Sequence, residues 1–244
     1  MQIQDKVVIV TGASSGIGLA TARLLSRNGA KLALAARSKS KLRALAKELP
    51  DSLAVPTDMT KPAEVRKMVS RVNQHFGRVD ILINNAGQGY DAPVEKIRLP
   101  AFRHIFNLDV VGPLVAMQKV IPIMRSQKAG MILNISSGTA LMALPNMGPY
   151  SSLKRALVGI SLTAREEWKE DGILVSAVYP YITDTDFEAN TISDVEEDAE
   201  WDGDGHDGPF NPPDSAEHIA RKILEGIQSE EAEIFAHDWM RHGQ

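Results

Sequence analysis

The sequence predicts an α/β fold, a doubly wound parallel sheet with helices on both faces. Two observations carry that prediction. Short β-branched or aliphatic runs alternate with longer amphipathic ones along the chain, which implies parallel strands joined by helices. A glycine-rich turn, TGASSGIG at 11–18, follows the first such run and opens the first amphipathic one. In this architecture ligand sites lie beyond the carboxyl ends of the strands. The 244 residues show no internal repeat and no linker, so one domain spanning 1–244 is expected.

The elements follow in order. Residues 6–10 read as a short buried strand, and 17–28 as a helix with Leu19, Ala20, Ala22, Arg23 and Leu24 on a mixed face. The next strand and helix are 31–35 and 39–49. Residues 52–55 form a weak strand, and 62–76 a helix with proline in its first turn. A strand at 79–83 precedes one long helix at 100–126. Strand 131–135, helix 150–169, strand 174–178, helix 215–228 and a short strand at 231–235 complete the chain. One stretch breaks composition: residues 193–208 hold eight acids and no lysine or arginine. With its flanks, about 186–213, it reads as a long structureless, lid-like loop.

Composition excludes several classes. Hydrophobic residues make up 43% and charged residues 24% of the chain, an ordinary globular balance. A net charge of -4 with pI near 5.9 argues against nucleic-acid or anionic-membrane binding. There is no cysteine, hence no disulfide, thiol nucleophile or thiolate metal site. The start, MQIQDKVVIV, enters a strand-like run at once and shows no signal-peptide pattern. No run of about 18 apolar residues suggests a membrane span, so a cytoplasmic location is expected.

Three motifs carry chemistry. Glycines 12, 16 and 18 allow a tight turn and a close backbone approach, and the N–H groups at the helix start then face an anion such as a pyrophosphate. Gly12, Ser14, Ser15, Gly16, Ile17 and Gly18 are the expected cofactor contacts of this turn. The second strand ends LALAAR, with Ala36 where NAD-binding folds often place an acid for the ribose 2′-OH. Arg37 beside it can pair with a 2′-phosphate, which favours NADP(H) over NAD(H). YSSLK sets Tyr150 and Lys154 four apart on one helix face. A neighbouring ammonium is expected to lower the phenol by about three pKa units, which needs roughly 4 kcal/mol. Ser137 lies just past the strand MILNIS, where it can donate to a carbonyl oxygen turning into an alkoxide.

Together with Asp58 in VPTDMT, NNAG at 84–87, NISS at 134–137 and VYPYITDT, these residues resemble the short-chain dehydrogenase/reductase family, in its NADP-preferring subgroup. The resemblance covers nearly the whole chain. It implies a seven-stranded Rossmann-like sheet and NAD(P)-dependent hydride transfer between nicotinamide and a carbonyl or secondary alcohol. By similarity Tyr150 is the acid/base, Lys154 holds the nicotinamide ribose and lowers the Tyr150 pKa, and Ser137 orients substrate, with Ser136 structural. By the same resemblance Asp58 lies near the adenine, Asn85 and Gly87 line the adenosine side, and Thr185 falls at the carboxamide; Met59, Ala86, Pro180 and Thr183 are further cofactor-binding candidates. Relatives pair their long helices into dimers or tetramers; Val110, Leu114, Met117, Ile121, Leu157, Ile160 and Leu162 are candidate interface residues. Tyr90, Leu141, Met142, Leu144, Met147, Tyr181 and Phe187 would line a pocket for an apolar substrate.

Two positions depart from the family pattern. Tyr181 stands where a glycine usually follows Pro180. Asp109 stands where N-x-x-G, aligned on Gly112, has asparagine, and it joins the catalytic candidates. Pro113 has no N–H and so frees the Asp109 carbonyl. That main-chain carbonyl, rather than the carboxylate, is expected to be the working part, with the carboxylate favouring a charged Lys154 and partly opposing its effect on Tyr150. The competing function is a non-catalytic NAD(P)-binding regulator on the same fold. No metal site is expected: Asp202, Asp204 and Asp207 miss the EF-hand spacing, and His237 and His242 read as surface residues.

Overall fold

The computed structural model describes residues 1–195 and 212–242. Seven parallel strands form the central sheet: β1 Val7–Thr11, β2 Lys31–Ala36, β3 Ser52–Pro56, β4 Ile81–Asn84, β5 Gly130–Ile135, β6 Ile173–Tyr179 and β7 Glu233–Phe235. Their spatial order is 7-6-5-4-1-2-3. The order reverses between β1 and β4, so the crevice that gathers ligands opens at the carboxyl ends of those strands.

Alternation along each strand builds two cores, one per face. Val8, Val10, Leu32 and Leu34 pack under α1 (Gly16–Arg27), α2 (Lys39–Glu48) and α7 (Ala216–Ser229), through Leu25, Leu42 and Ile223 among others. Val7, Ile9, Ala33 and Ala35 pack under α3 (Pro62–Phe76) and α5 (Gly112–Gln127), through Val69 and Val120 among others. Because both faces are covered, β1 and β5 are buried at every position, which is why they read as unbroken apolar runs.

The expected long helix at 100–126 is three segments: α4 Leu99–Phe106, a π-helical turn at Asn107–Val111, and α5. The cause is local. Pro113 offers no N–H to the Asp109 carbonyl, and the ladder widens, with the Gly112 N–H reaching back five residues to the Asn107 carbonyl. Leu99–Gln127 passes as a membrane span by length and mean hydropathy alone, although polar residues interrupt it, and 56% of its apolar window is buried inside this fold. Helix α6, Gly148–Trp168, lies beside it.

Other expectations need correction. Of the candidate interface residues, Val110, Met117, Ile121 and Leu157 are buried within the subunit, whereas Leu114, Ile160 and Leu162 are only partly buried. Tyr90 is fully buried rather than pocket-lining: its hydroxyl donates to Asp194 at 2.7 Å and accepts the Arg98 N–H at 2.8 Å. The acidic segment lies mostly outside the described residues, but its described flank is ordered. Ile192–Ser193 pairs with Tyr90–Asp91, and Asp194 bridges to Arg98 at 2.8 Å.

Candidate active site

The predicted cofactor residues collect at the carboxyl edge of the sheet. Gly12 and Gly16 take left-handed backbone conformations, φ +69° and +51°, which a side chain would strain. A Cβ on Gly18 would collide with the Gly12 carbonyl, so only glycine lets α1 dock this close to the turn. Ser15 caps α1 without a side-chain hydrogen bond to the helix start, which leaves those N–H groups for an external acceptor. Ser14, Ser15, Gly16 and Ile17 are all partly exposed around this turn.

Thr11 ties the turn to β4: its hydroxyl accepts the N–H groups of Asn85 at 2.9 Å and Ala86 at 3.0 Å, and the Asn85 amide donates to the Thr11 carbonyl at 2.9 Å. Arg37 is exposed directly after β2. Asp58 accepts from the Thr60 N–H and hydroxyl at 3.0 Å and 2.7 Å. Burial alone would raise its carboxyl, but those bonds and Lys61 hold it below the usual value. The Met59 side chain is in the core, so only its backbone faces this edge; a Cβ on Gly112 would sit 2.5 Å from the Met59 carbonyl oxygen. Thr185 packs over Gly16, and Thr183 donates to the Tyr181 carbonyl at 2.8 Å. Pro180 accepts the Gly138 N–H at 2.8 Å. An uncapped helix start beside three glycines, with Arg37 at its rim, fits a dinucleotide cofactor.

The catalytic candidates lie at the ends of β5 and on α6. Ser137 accepts from the Thr139 N–H at 3.2 Å and hydroxyl at 3.0 Å, and its hydroxyl lies within hydrogen-bonding reach of Tyr150. Ser136 donates to the Lys154 carbonyl at 3.2 Å, the structural part expected of it. Tyr150 and Lys154 share a face as predicted, with the ammonium 5.4 Å from the phenol ring centre. The Phe187 ring lies 5.7 Å from that of Tyr150.

The Asp109 carboxylate stands beside Lys154, as expected, with Oδ2 2.9 Å from Nζ, and Oδ1 also accepts the Gln88 N–H at 3.2 Å. Asp109 and Lys154 are 1% and 4% exposed, so this is an ion pair inside the fold. Gly87 backs it, since a Cβ there would stand 3.0 Å from Oδ2 and 3.3 Å from Nζ. Lys154 also donates to the Ile135 carbonyl at 3.1 Å.

Electrostatics follow from that pair. Burial alone would lower the Lys154 ammonium, but Asp109 and Tyr150 outweigh it, and the net shift is upward. Burial pushes the Asp109 carboxyl up against the pull of Lys154. The Tyr150 phenol is also pushed up, chiefly by burial; Lys154 and Ser137 oppose this, while Asp109 and Asp91 add to it. The expected depression of Tyr150 by its lysine is therefore overridden, because the site is dry and holds a carboxylate.

The structure also joins groups that the linear sequence kept apart. Asn84 donates to Asn134 at 2.8 Å, and Asn134 to Ser161 at 2.8 Å, a buried polar chain linking β4, β5 and α6. Asp214, His218 and His237 meet at the far end of the same edge. His237 is thus half-buried and clustered, not a free surface residue. The signal was absent because these residues lie on three separate elements.

The short chain dehydrogenase family model matches residues 6–196. An uncharacterized oxidoreductase of Bacillus subtilis (strain 168), YxjF, is 35% identical over 200 residues, covering 79% of this chain and 77% of the relative. Another uncharacterized oxidoreductase, SSP1627 of Staphylococcus saprophyticus, is 39% identical over 167 residues, 68% of each chain. The crystal structure of 3-ketoacyl-(acyl-carrier-protein) reductase from Brucella melitensis complexed with NADH superposes with a TM-score of 0.84 at 26% identity, covering 96% of this chain and 97% of that one. A short-chain dehydrogenase from Streptomyces avermitilis gives 0.88 at 26% identity, covering 100% and 92%.

Proposed function

From the premise that this chain belongs to the short-chain dehydrogenase family of oxidoreductases, we propose that it is an NADPH-dependent carbonyl reductase acting on apolar ketones or aldehydes. One observation carries this reading: Ser137, Tyr150 and Lys154 meet at the carboxyl edge of the sheet, beside the glycine-rich turn. A bound nicotinamide supplies hydride, and the chain supplies the proton and the setting. Tyr150, with its phenol pushed up, stays protonated through the neutral range and donates that proton to the carbonyl oxygen as it becomes an alkoxide. Ser137 has accepted both Thr139 donors, so its hydroxyl hydrogen is available to the same oxygen.

An ammonium has three donors. In Lys154 one reaches the Ile135 carbonyl, and Asp109 at 2.9 Å balances the charge, which leaves donor capacity for a ribose hydroxyl. Arg37, following Ala36 with no acid at that place, supports the phosphorylated cofactor. Exposed Met142 and Phe187, with Phe187 against Tyr150, support an apolar substrate. The test is NADPH oxidation against a broad panel of ketones and aldehydes, alongside cofactor binding by fluorescence. Turnover of apolar carbonyls with NADPH supports the reading. Tight cofactor binding with no turnover across the panel would replace it with a non-catalytic nucleotide-binding regulator.

A further inference from the structure

A second cluster of chemistry-bearing side chains stands apart from the catalytic groups, where three pieces of the chain meet. Asp214 opens a short strand paired with Thr183–Asp184, His218 lies in the first turn of α7, and His237 follows β7. His237 Nε2 lies 2.9 Å and 3.1 Å from the two Asp214 oxygens. His218 Nε2 stands 4.0 Å from Asp214 Oδ1 and 3.2 Å from the Ala236 carbonyl oxygen. The three ligand atoms lie within 4.8 Å of one another. We propose that Asp214, His218 and His237 bind a divalent transition-metal ion of the zinc type.

The donor set argues for that class of ion. Two imidazole nitrogens and one carboxylate are borderline ligands that suit zinc and its neighbours, and fit calcium or magnesium poorly. Ligands about 2.0–2.2 Å from zinc at tetrahedral angles stand roughly 3.3–3.5 Å apart. The 2.9 Å and 3.1 Å separations fall a few tenths short and the 4.0 Å one exceeds the range. Binding therefore requires the His218 ring to turn away from the Ala236 carbonyl. The two imidazoles are stacked at 5.3 Å and 17°, so that turn is also what makes their lone pairs converge. Side-chain exposures of 28%, 25% and 11% leave an open side for a water as fourth ligand.

The surroundings hold His237 in place. The Tyr181 ring meets it edge-on at 5.8 Å and 80°, and the Trp239 indole stacks on it at 5.9 Å and 11°. Tyr181 is also edge-on to Trp239 at 5.5 Å. Tyr181 is the residue that replaces the usual glycine after Pro180, so the sequence departure and the histidine are packed on each other. A metal here ties the strand at Thr183–Asp184 to α7 and to the segment after β7. Thr185, one residue on, packs over Gly16 of the cofactor turn. The ion is therefore a structural staple behind the site rather than a participant in hydride transfer.

The test is zinc binding by the full chain, without an affinity tag, after chelator treatment. Zinc chloride is titrated near neutral pH in competition with a chromophoric chelator. The proposal expects one zinc per chain, weakened by at least about tenfold in His218→Ala and in His237→Ala, and unchanged in His75→Ala on α3. Should the histidine variants unfold, X-ray absorption of the zinc-loaded wild type decides instead: two imidazole ligands support the site. No stoichiometric uptake by the wild type, equal uptake by His237→Ala, or an absorption spectrum without imidazole would overturn it.

Discussion

Two buried carboxylates in this molecule have the same kinds of partner and different surroundings. Asp80, just before β4, accepts the Val7 N–H at 2.9 Å and a two-pronged contact from Arg78 at 2.6 Å and 2.9 Å. Asp109 accepts the Gln88 N–H at 3.2 Å and faces Lys154 at 2.9 Å. The Arg78 side chain is 49% exposed and that of Lys154 is 5% exposed. Asp80 lies at the amino edge of the sheet and ties β4 to β1, with a guanidinium whose charge is fixed and shared with water. Asp109 lies at the carboxyl edge, against a cation that has almost no water and that neighbours a phenol. One pair is a staple. The other is a poised charge, because its field falls on a group that can titrate.

Breaking the catalytic side should show the largest effect. Tyr150→Phe removes the proposed proton donor while keeping the ring against Phe187; kcat with the best carbonyl substrate should fall by about 10²–10⁴, with NADPH binding by fluorescence unchanged. Retained turnover would move the acid elsewhere.

The two cations should then separate the two pairs. Lys154→Met leaves Asp109 buried without its counter-charge and should cost about 3–5 kcal/mol of stability. For a chain of this size that is a thermal midpoint lower by roughly 10 °C. Since burial already holds the Asp109 carboxyl up, the neutral form is the one the fold tolerates in this variant. Its deficit should shrink as pH falls and grow as pH rises through that raised value. Arg78→Met, with half its side chain in water, should cost about 1 kcal/mol, and its pH profile of turnover should match the wild type. Equal losses in calorimetry for the two variants would erase the distinction drawn between the pairs.

Cofactor preference is a smaller effect on the same edge. Arg37→Ala should lose most of a ten- to hundredfold preference for NADPH over NADH, the worth of roughly one charge-assisted contact. Equal kcat/KM for both cofactors in the unmutated protein would refute the assignment of Arg37 to a 2′-phosphate.

Much of this was legible in the sequence, for physical reasons that also mark its reach. Parallel strands buried on both faces read as apolar runs, and TGASSGIG announces itself because a left-handed turn and a close helix approach both exclude side chains. Tyr150 and Lys154 were legible because one helix carries both. Pro113 signalled a break in the helix but not its form, since a proline can kink a ladder or widen it into the π turn seen at Asn107–Val111. The burial of the Asp109 carboxylate was not legible. It depends on Gly87 and the Gln88 N–H, more than twenty residues earlier in the chain, closing over it. Tyr181 read as pocket bulk, yet it packs on His237 and Trp239. The cluster of Asp214, His218 and His237 has no local signature, because tertiary packing alone assembles it.

The central claim is that the Asp109 carboxylate, through its field on Lys154 and Tyr150, sets the pH at which the proton donor works. The direct measurement is kcat/KM against pH for the wild type and Asp109→Asn, with NADPH and the best carbonyl substrate. A negative charge beside a phenol disfavours the phenolate and raises its pKa, as burial does here. Removing that charge should move the limb assigned to Tyr150 to lower pH by up to about one unit, with activity kept within roughly tenfold. An unmoved profile would contradict the account, and so would abolished turnover with normal NADPH binding, which would make the carboxylate itself a reacting group.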